Sequence, residues 1–92
     1  MVLKRGKTEV TFVYRPTGSC GTVQVAGTFN NWQPKDGKMS RQKDGTYRKR
    51  LSLEPGRYLY RFVVDGQWTE DLEAEEQVTN QFGGRDSVVT VG

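Results

Sequence analysis

The stretch Arg57-Tyr-Leu-Tyr-Arg-Phe-Val-Val-Asp-Gly-Gln-Trp68 restricts the fold of this chain more than any other. Tyr58, Tyr60, Phe62 and Val64 alternate with Leu59, Arg61 and Val63, a period of two that fits a strand and no helix. The aromatic set faces a core, and the set containing Arg61 faces outward. Asp65-Gly66 follows at once, and a tight type I′ turn favours this pair because both of its central residues take positive φ. Such a turn delivers Trp68 near Arg61, at the end of the sheet.

The rest of the chain repeats this grammar. Glu9 to Tyr14 alternates as a strand with Val10, Phe12 and Tyr14 on one side, and Thr22 to Ala26 reads as a second. Arg15 to Gly21 is a turn-rich loop. Gly27-Thr-Phe-Asn-Asn-Trp-Gln-Pro34 breaks the second strand and leaves Trp32 in a loop. Met39 to Gln42 is expected as a short strand and Tyr47 to Leu53 as a longer one, with Tyr47, Leu51 and Leu53 toward the core. Glu54-Pro-Gly56 then reads as a turn that places Arg48, Arg50, Arg57 and Arg61 on one basic outer face. Leu72 to Glu76 is too short and uncapped to hold a helix, so Glu70 to Glu76 is expected as a solvated acidic loop. Gln81 to Asp86 reads as a mobile glycine loop, and Ser87 to Val91 as the closing strand. Residues 1–8 read as a basic leader, and residues 9–92 as one domain. The expected fold is all-β, an immunoglobulin-like sandwich of about seven short strands.

At 92 residues the chain is too short for a large internal active-site cavity. It shows no signal peptide and no apolar run of membrane-spanning length, so a cytoplasmic setting is expected. Cys20 is alone and histidine is absent, which removes an internal disulfide, the usual zinc constellations and a cysteine nucleophile with an imidazole partner. No cofactor or metal is expected. Thirteen of the fourteen Lys and Arg residues lie at or before Arg61, and seven of the eleven acids lie after it. That imbalance calls for a partner or for packing between the two halves.

Three kinds of function compete for these residues. Glu70, Asp71, Glu73, Glu75 and Glu76 supply carboxylates for glycosidic cleavage, but they crowd one loop without the pocket that sets two different pKa values. Gly83-Gly84 is followed by no helix start, so it makes no phosphate cradle. A basic face with neighbouring aromatics suits single-stranded nucleic acid or another polyanion. Trp32 and Trp68, at strand ends beside amides and a guanidinium, suit a sugar, whose C–H face stacks on indole while its hydroxyls take hydrogen bonds.

Three blocks bear on that choice: Val23-Gln-Val-Ala-Gly-Thr-Phe-Asn-Asn-Trp32, Pro55 to Thr69, and Asn80-Gln-Phe-Gly-Gly84. In this order they resemble carbohydrate-binding module family 48, the glycogen-binding domain of AMP-activated protein kinase beta subunits and the early-set domain of isoamylases and branching enzymes. The resemblance covers about residues 9 to 91. It implies an early-set, immunoglobulin-like sandwich that binds α-1,4-linked glucan without catalysis: glycogen, starch or maltooligosaccharides. Carried over residue by residue, it implies that Trp32 and Trp68 stack on glucose rings and that Arg61, in the place of a lysine, bonds to hydroxyls. Asn31 belongs to the same motif. In the late loop Phe82, Gly83, Gly84 and Asp86 stand where the kinase-type domain has leucine, glycine, threonine and asparagine. Phe82 then clamps a sugar face, Gly84 lacks a hydroxyl, and Asp86 is an acceptor only when ionised. Partners implied are the glucan itself and a glucan-active enzyme or kinase subunit. The alternative is a docking domain without sugar binding.

Overall fold

The computed structural model describes residues 1–18 and 20–92; Ser19, in the turn-rich loop, lies outside the described residues. The strands are β1 (Val2–Arg5), β2 (Glu9–Tyr14), β3 (Val23–Gly27), β4 (Ser40–Arg41), β5 (Tyr47–Ser52), β6 (Gly56–Val64), β7 (Gln67–Thr69), β8 (Glu76–Thr79) and β9 (Arg85–Val91). One antiparallel sheet runs β1-β2-β5-β4, and the other runs β3-β6-β9-β8 with β7 also paired to β6. The helical segments among the described residues are short 3-10 turns, Thr28–Asn30 and Pro34–Asp36. The expected all-β sandwich is the observed one, with nine described strands rather than about seven.

The period of two places the core as expected. Val10, Phe12, Tyr60, Phe62, Val25 and Val89 are buried between the sheets, and Leu51, Leu53 and Tyr14 pack against them. Phe12 meets the Tyr60 ring edge-on at 4.9 Å, and Tyr14 meets Phe62 at 5.2 Å, so the aromatic alternation of β6 is what joins the layers.

Two expectations about strands change. Val2 to Arg5, read as leader, pairs with β2, and Val2 lies opposite Phe12 and packs against the core. Glu76 to Thr79 pairs with β9, with Val78 opposite Asp86. The single basic face is also overturned. β5 and β6 belong to different sheets, so Glu54-Pro-Gly56 carries the chain across the sandwich and makes no hairpin. Arg48 and Arg50, opposite Val13 and Thr11, lie on the outer face of one sheet. Arg57 and Arg61 lie on the outer face of the other.

The acidic segment is likewise no solvated loop throughout. Asp71 is only 4% exposed. Its Oδ2 accepts the Tyr60 hydroxyl at 2.6 Å and the Met1 ammonium, and its Oδ1 accepts the Glu73 N–H at 3.0 Å. Burial, and then this bond to Asp71, raise the Tyr60 phenol far above its ordinary pKa. Around Asp71 the exposed acids pair with earlier cations: Glu73 with Arg15 at 3.4 Å, Glu75 with Lys4 at 3.1 Å, and Glu76 with Arg57 at 2.6 Å. The charge imbalance along the sequence is therefore met by packing within the domain. Such exposed pairs add little stability each.

A candidate glucan-binding groove

β6 supplies the floor of the site. Leu59 and Arg61 line it from the outer face of the strand, Val63 on the same face is buried, and the register Val63 opposite Trp68 and Arg61 opposite Ala26 keeps the flanking strands level with them. Asp65 and Gly66 take φ of 49° and 83°, the pair of positive values that a type I′ turn requires. The Asp65 carboxylate accepts the N–H groups of Gly21 and Thr22, each at 2.9 Å, which ties this turn to the entry of β3. Trp68 stands just beyond it, 46% exposed.

The second indole comes from the end of β3. Asn30 closes the Thr28–Asn30 turn on both sides, accepting the Gly27 N–H at 3.0 Å through Oδ1 and donating to the Val25 carbonyl at 3.1 Å through Nδ2. A Cβ on Gly27 would lie 2.4 Å from the Leu59 carbonyl oxygen, so only glycine lets the chain turn so close to β6. Asn31 and Trp32 then take φ of 54° and 57°, a left-handed pair closed by the Trp32 N–H donating to Gly27 O at 2.9 Å. This conformation, uncommon for a bulky residue, turns the half-buried Trp32 ring toward Trp68. The two ring centroids are 6.4 Å apart with planes tilted by 47°.

The third wall is the β8–β9 hairpin. The Asn80 N–H donates to Gly84 O at 2.8 Å, and Asn80 Oδ1 accepts the N–H groups of Phe82 at 2.9 Å and Gly84 at 3.2 Å. These bonds close the turn in the glycine loop, and Phe82 stands outward from it, 86% exposed. Together the walls and floor enclose an open groove of about 550 Å³.

Of the residues singled out in the sequence, Trp32, Arg61, Trp68, Phe82 and Asp86 line this groove. Gly84 adjoins it: a Cβ there would lie 4.0 Å from Arg61 Nη2. Asn31 is exposed outside the groove lining, and its place in the motif is the left-handed turn before Trp32. Thr28, Leu59, Asn80 and Gln81 also line the groove and were missed. For Leu59 a signal existed, since it shares the outward set with Arg61.

Arg61 has no ion pair among the described residues, and its Nε is buried without a hydrogen-bond partner. Asp86 is buried at the groove, where Asn80 Nδ2 approaches its Oδ1 at 3.5 Å, the long limit of a hydrogen bond. The groove therefore offers two indoles, a phenyl ring, an unpaired guanidinium and a lightly bonded carboxyl. Among the described residues Asp86 is the one carboxylic acid in the lining, so they do not assemble here the pair of acids that glycoside cleavage uses.

Residues 8–92 match the family described as the glycogen recognition site of AMP-activated protein kinase. The chain belongs to this family. It is similar to the 5'-AMP-activated protein kinase subunit beta-1 of Sus scrofa, 37% identical over 79 residues, which covers 86% of this chain and 62% of that sequence. The human beta-1 subunit shows the same identity over 28% of its length. Protein PTST homolog 2, chloroplastic, of Arabidopsis thaliana is 38% identical over 53 residues, covering 58% of this chain and 10% of that one. This member of the glycogen-recognition family thus spans less than two thirds of these relatives. Its fold matches part of a maltogenic amylase from S. marinus with a TM-score of 0.74 at 22% identity, over 95% of this chain and 14% of the amylase. The carbohydrate-binding resemblance drawn from the three sequence blocks is thereby borne out at the level of family and fold.

Proposed function

We propose that the domain is a non-catalytic module that binds α-1,4-linked glucan in the groove on the β6 face. The observation that carries this reading is the convergence of Trp32 and Trp68 beside the unpaired Arg61 in one open groove. Indole faces stack on the C–H faces of glucose, while Arg61 donates to hydroxyls and Asp86 accepts from them. The 47° tilt between the indoles suits a ligand whose successive rings turn in one sense, as α-1,4-linked glucose does, better than a flat ribbon. Arginine in place of lysine offers a planar fork rather than a point donor, which suits two adjacent hydroxyls.

The relatives include kinase subunits, and the chain spans a part of each. We place the domain accordingly as a module that brings glucan to a kinase complex or to a glucan-active enzyme. The polyanion reading loses its basis, because the four arginines that suggested it are divided between opposite faces. An open site binds a flexible oligosaccharide with micromolar to millimolar affinity, roughly −8 to −4 kcal/mol, and polymeric glucan adds avidity.

A pull-down on insoluble glycogen with competing maltoheptaose tests this reading. Retention that survives increasing salt and is released by maltoheptaose supports it. Retention that falls steeply with salt and ignores the sugar identifies a polyanion site instead.

A further inference from the structure

Three of the residues that the sequence singled out, Phe82, Gly84 and Asp86, converge on one side chain that it did not. Asn80 Oδ1 accepts the backbone N–H groups of Phe82 and Gly84, at 2.9 and 3.2 Å. Its Nδ2 reaches Asp86 Oδ1 at 3.5 Å, and its main chain closes the hairpin through N–H to Gly84 O at 2.8 Å. Phe82 itself is 86% exposed, and no aromatic neighbour stacks on its ring among the described residues, so packing does not fix its direction. The turn does, and Asn80 makes the turn.

We infer that Asn80 is a positioning residue for ligand binding: its amide holds the β8–β9 hairpin so that Phe82 forms the wall of the groove facing the indole pair. The inference rests on the glucan reading of that groove. An asparagine oxygen that bonds N–H groups two and four residues on fixes a turn that glycine-rich chain alone leaves open, and Gly83 and Gly84 are just such chain. Without this acceptor the two N–H groups are free to turn to water, and the ring loses its defined direction. A wall that must be ordered at the moment of binding weakens affinity beyond whatever contact the Asn80 side chain makes in the groove it lines, and the F82A background separates the two.

The test is a thermodynamic cycle on the whole chain with maltoheptaose as probe, using N80A, F82A and the double variant. N80A is expected to weaken binding about tenfold, the effect of one hydrogen-bonded restraint. In the F82A background it is expected to change binding less than about twofold, since there is no ring left to position. N80S, which keeps a turn-capping oxygen, is expected to recover part of the loss. Amide exchange without sugar supplies a second readout: the Phe82 and Gly84 N–H groups should be protected in the wild type and exposed in N80A. Equal loss in both backgrounds, or N80A binding like the wild type, overturns the assignment of Asn80 while leaving the glucan reading intact. A wild-type domain that binds no maltoheptaose overturns the glucan reading itself.

Discussion

Replacing Trp68 with alanine separates a displayed ring from a core ring, because the two make different demands on stability. A fully enclosed tryptophan removes about 150–250 Å² from water. Trp68 is 46% exposed, so a little over half of that area is withdrawn. At about 25 cal/mol per Å² this amounts to roughly 2–3 kcal/mol as an upper bound, and a compact unfolded chain brings it down to about 2 kcal/mol. Truncating a fully buried aromatic such as Phe62 costs about 3–5 kcal/mol. Loss of one stacking partner removes about 1–3 kcal/mol of glucan binding, a factor of about 5 to 150 in Kd. Urea denaturation measures the first quantity and calorimetry with maltoheptaose the second. Trp68 is not a displayed stacking ring if W68A loses 4 kcal/mol or more of stability, or if it folds and binds as the wild type does.

Other substitutions probe the groove and the core separately. A Cβ at Gly84 would meet Asn80 Nδ2 at 3.5 Å and Arg61 Nη2 at 4.0 Å, ordinary contact distances, so G84T should fold normally and gain a groove hydroxyl. Calorimetry should show binding tightened about fivefold, by about 1 kcal/mol, and weaker binding would count against the groove. At Gly37 a Cβ would lie 1.8 Å from the Val25 carbonyl oxygen, so G37A should cost about 3 kcal/mol or more in denaturant unfolding; at Gly18, where no described residue beyond its chain neighbours lies within 4 Å, alanine should change stability by less than about 0.5 kcal/mol. Tyr60 has its phenol pKa raised in the fold, so above about pH 10 the unfolded state binds fewer protons and stability falls by about 1.4 kcal/mol per pH unit on its account. Tyr14 and Tyr47 shift in the same direction, so Y60F should lower this alkaline slope by one proton's worth without abolishing it, as pH-dependent unfolding will show.

What the sequence disclosed and what it withheld divide along the range of the interactions. β6, its Asp65-Gly66 turn and the delivery of Trp68 depend on residues within a dozen positions of one another, and the alternation states them directly. The division of β5 and β6 between two sheets does not, since a strand that returns in a hairpin and one that crosses the sandwich carry the same alternation. β1 was hidden because its polar residues Lys4 and Arg5 outweigh Val2, whose burial depends on Phe12 across the strand pair. Asp71 looked like one acid among five, and the hydroxyl that bonds it comes from Tyr60 on β6, eleven residues earlier. At the groove, the aromatic residues announced themselves by type. Asn80 was legible in principle, because an asparagine placed just before Gln-Phe-Gly-Gly is an Asx-turn signal. Leu59 and Thr28 become groove residues only once the β3 end is folded back over β6, where the Leu59 N–H meets Thr28 Oγ1 at 3.3 Å.

If both indoles face one sugar-binding groove, the indole N–H resonances of Trp32 and Trp68 report on it separately. Titration of the ¹⁵N-labelled domain with maltoheptaose should move both signals on one saturating curve in the micromolar to millimolar range, together with the amides of Arg61, Phe82 and Gly84, while cellohexaose moves them far less. Indole signals that stay fixed at millimolar maltoheptaose, or shifts confined to the opposite sheet around Arg48 and Arg50, would contradict the account.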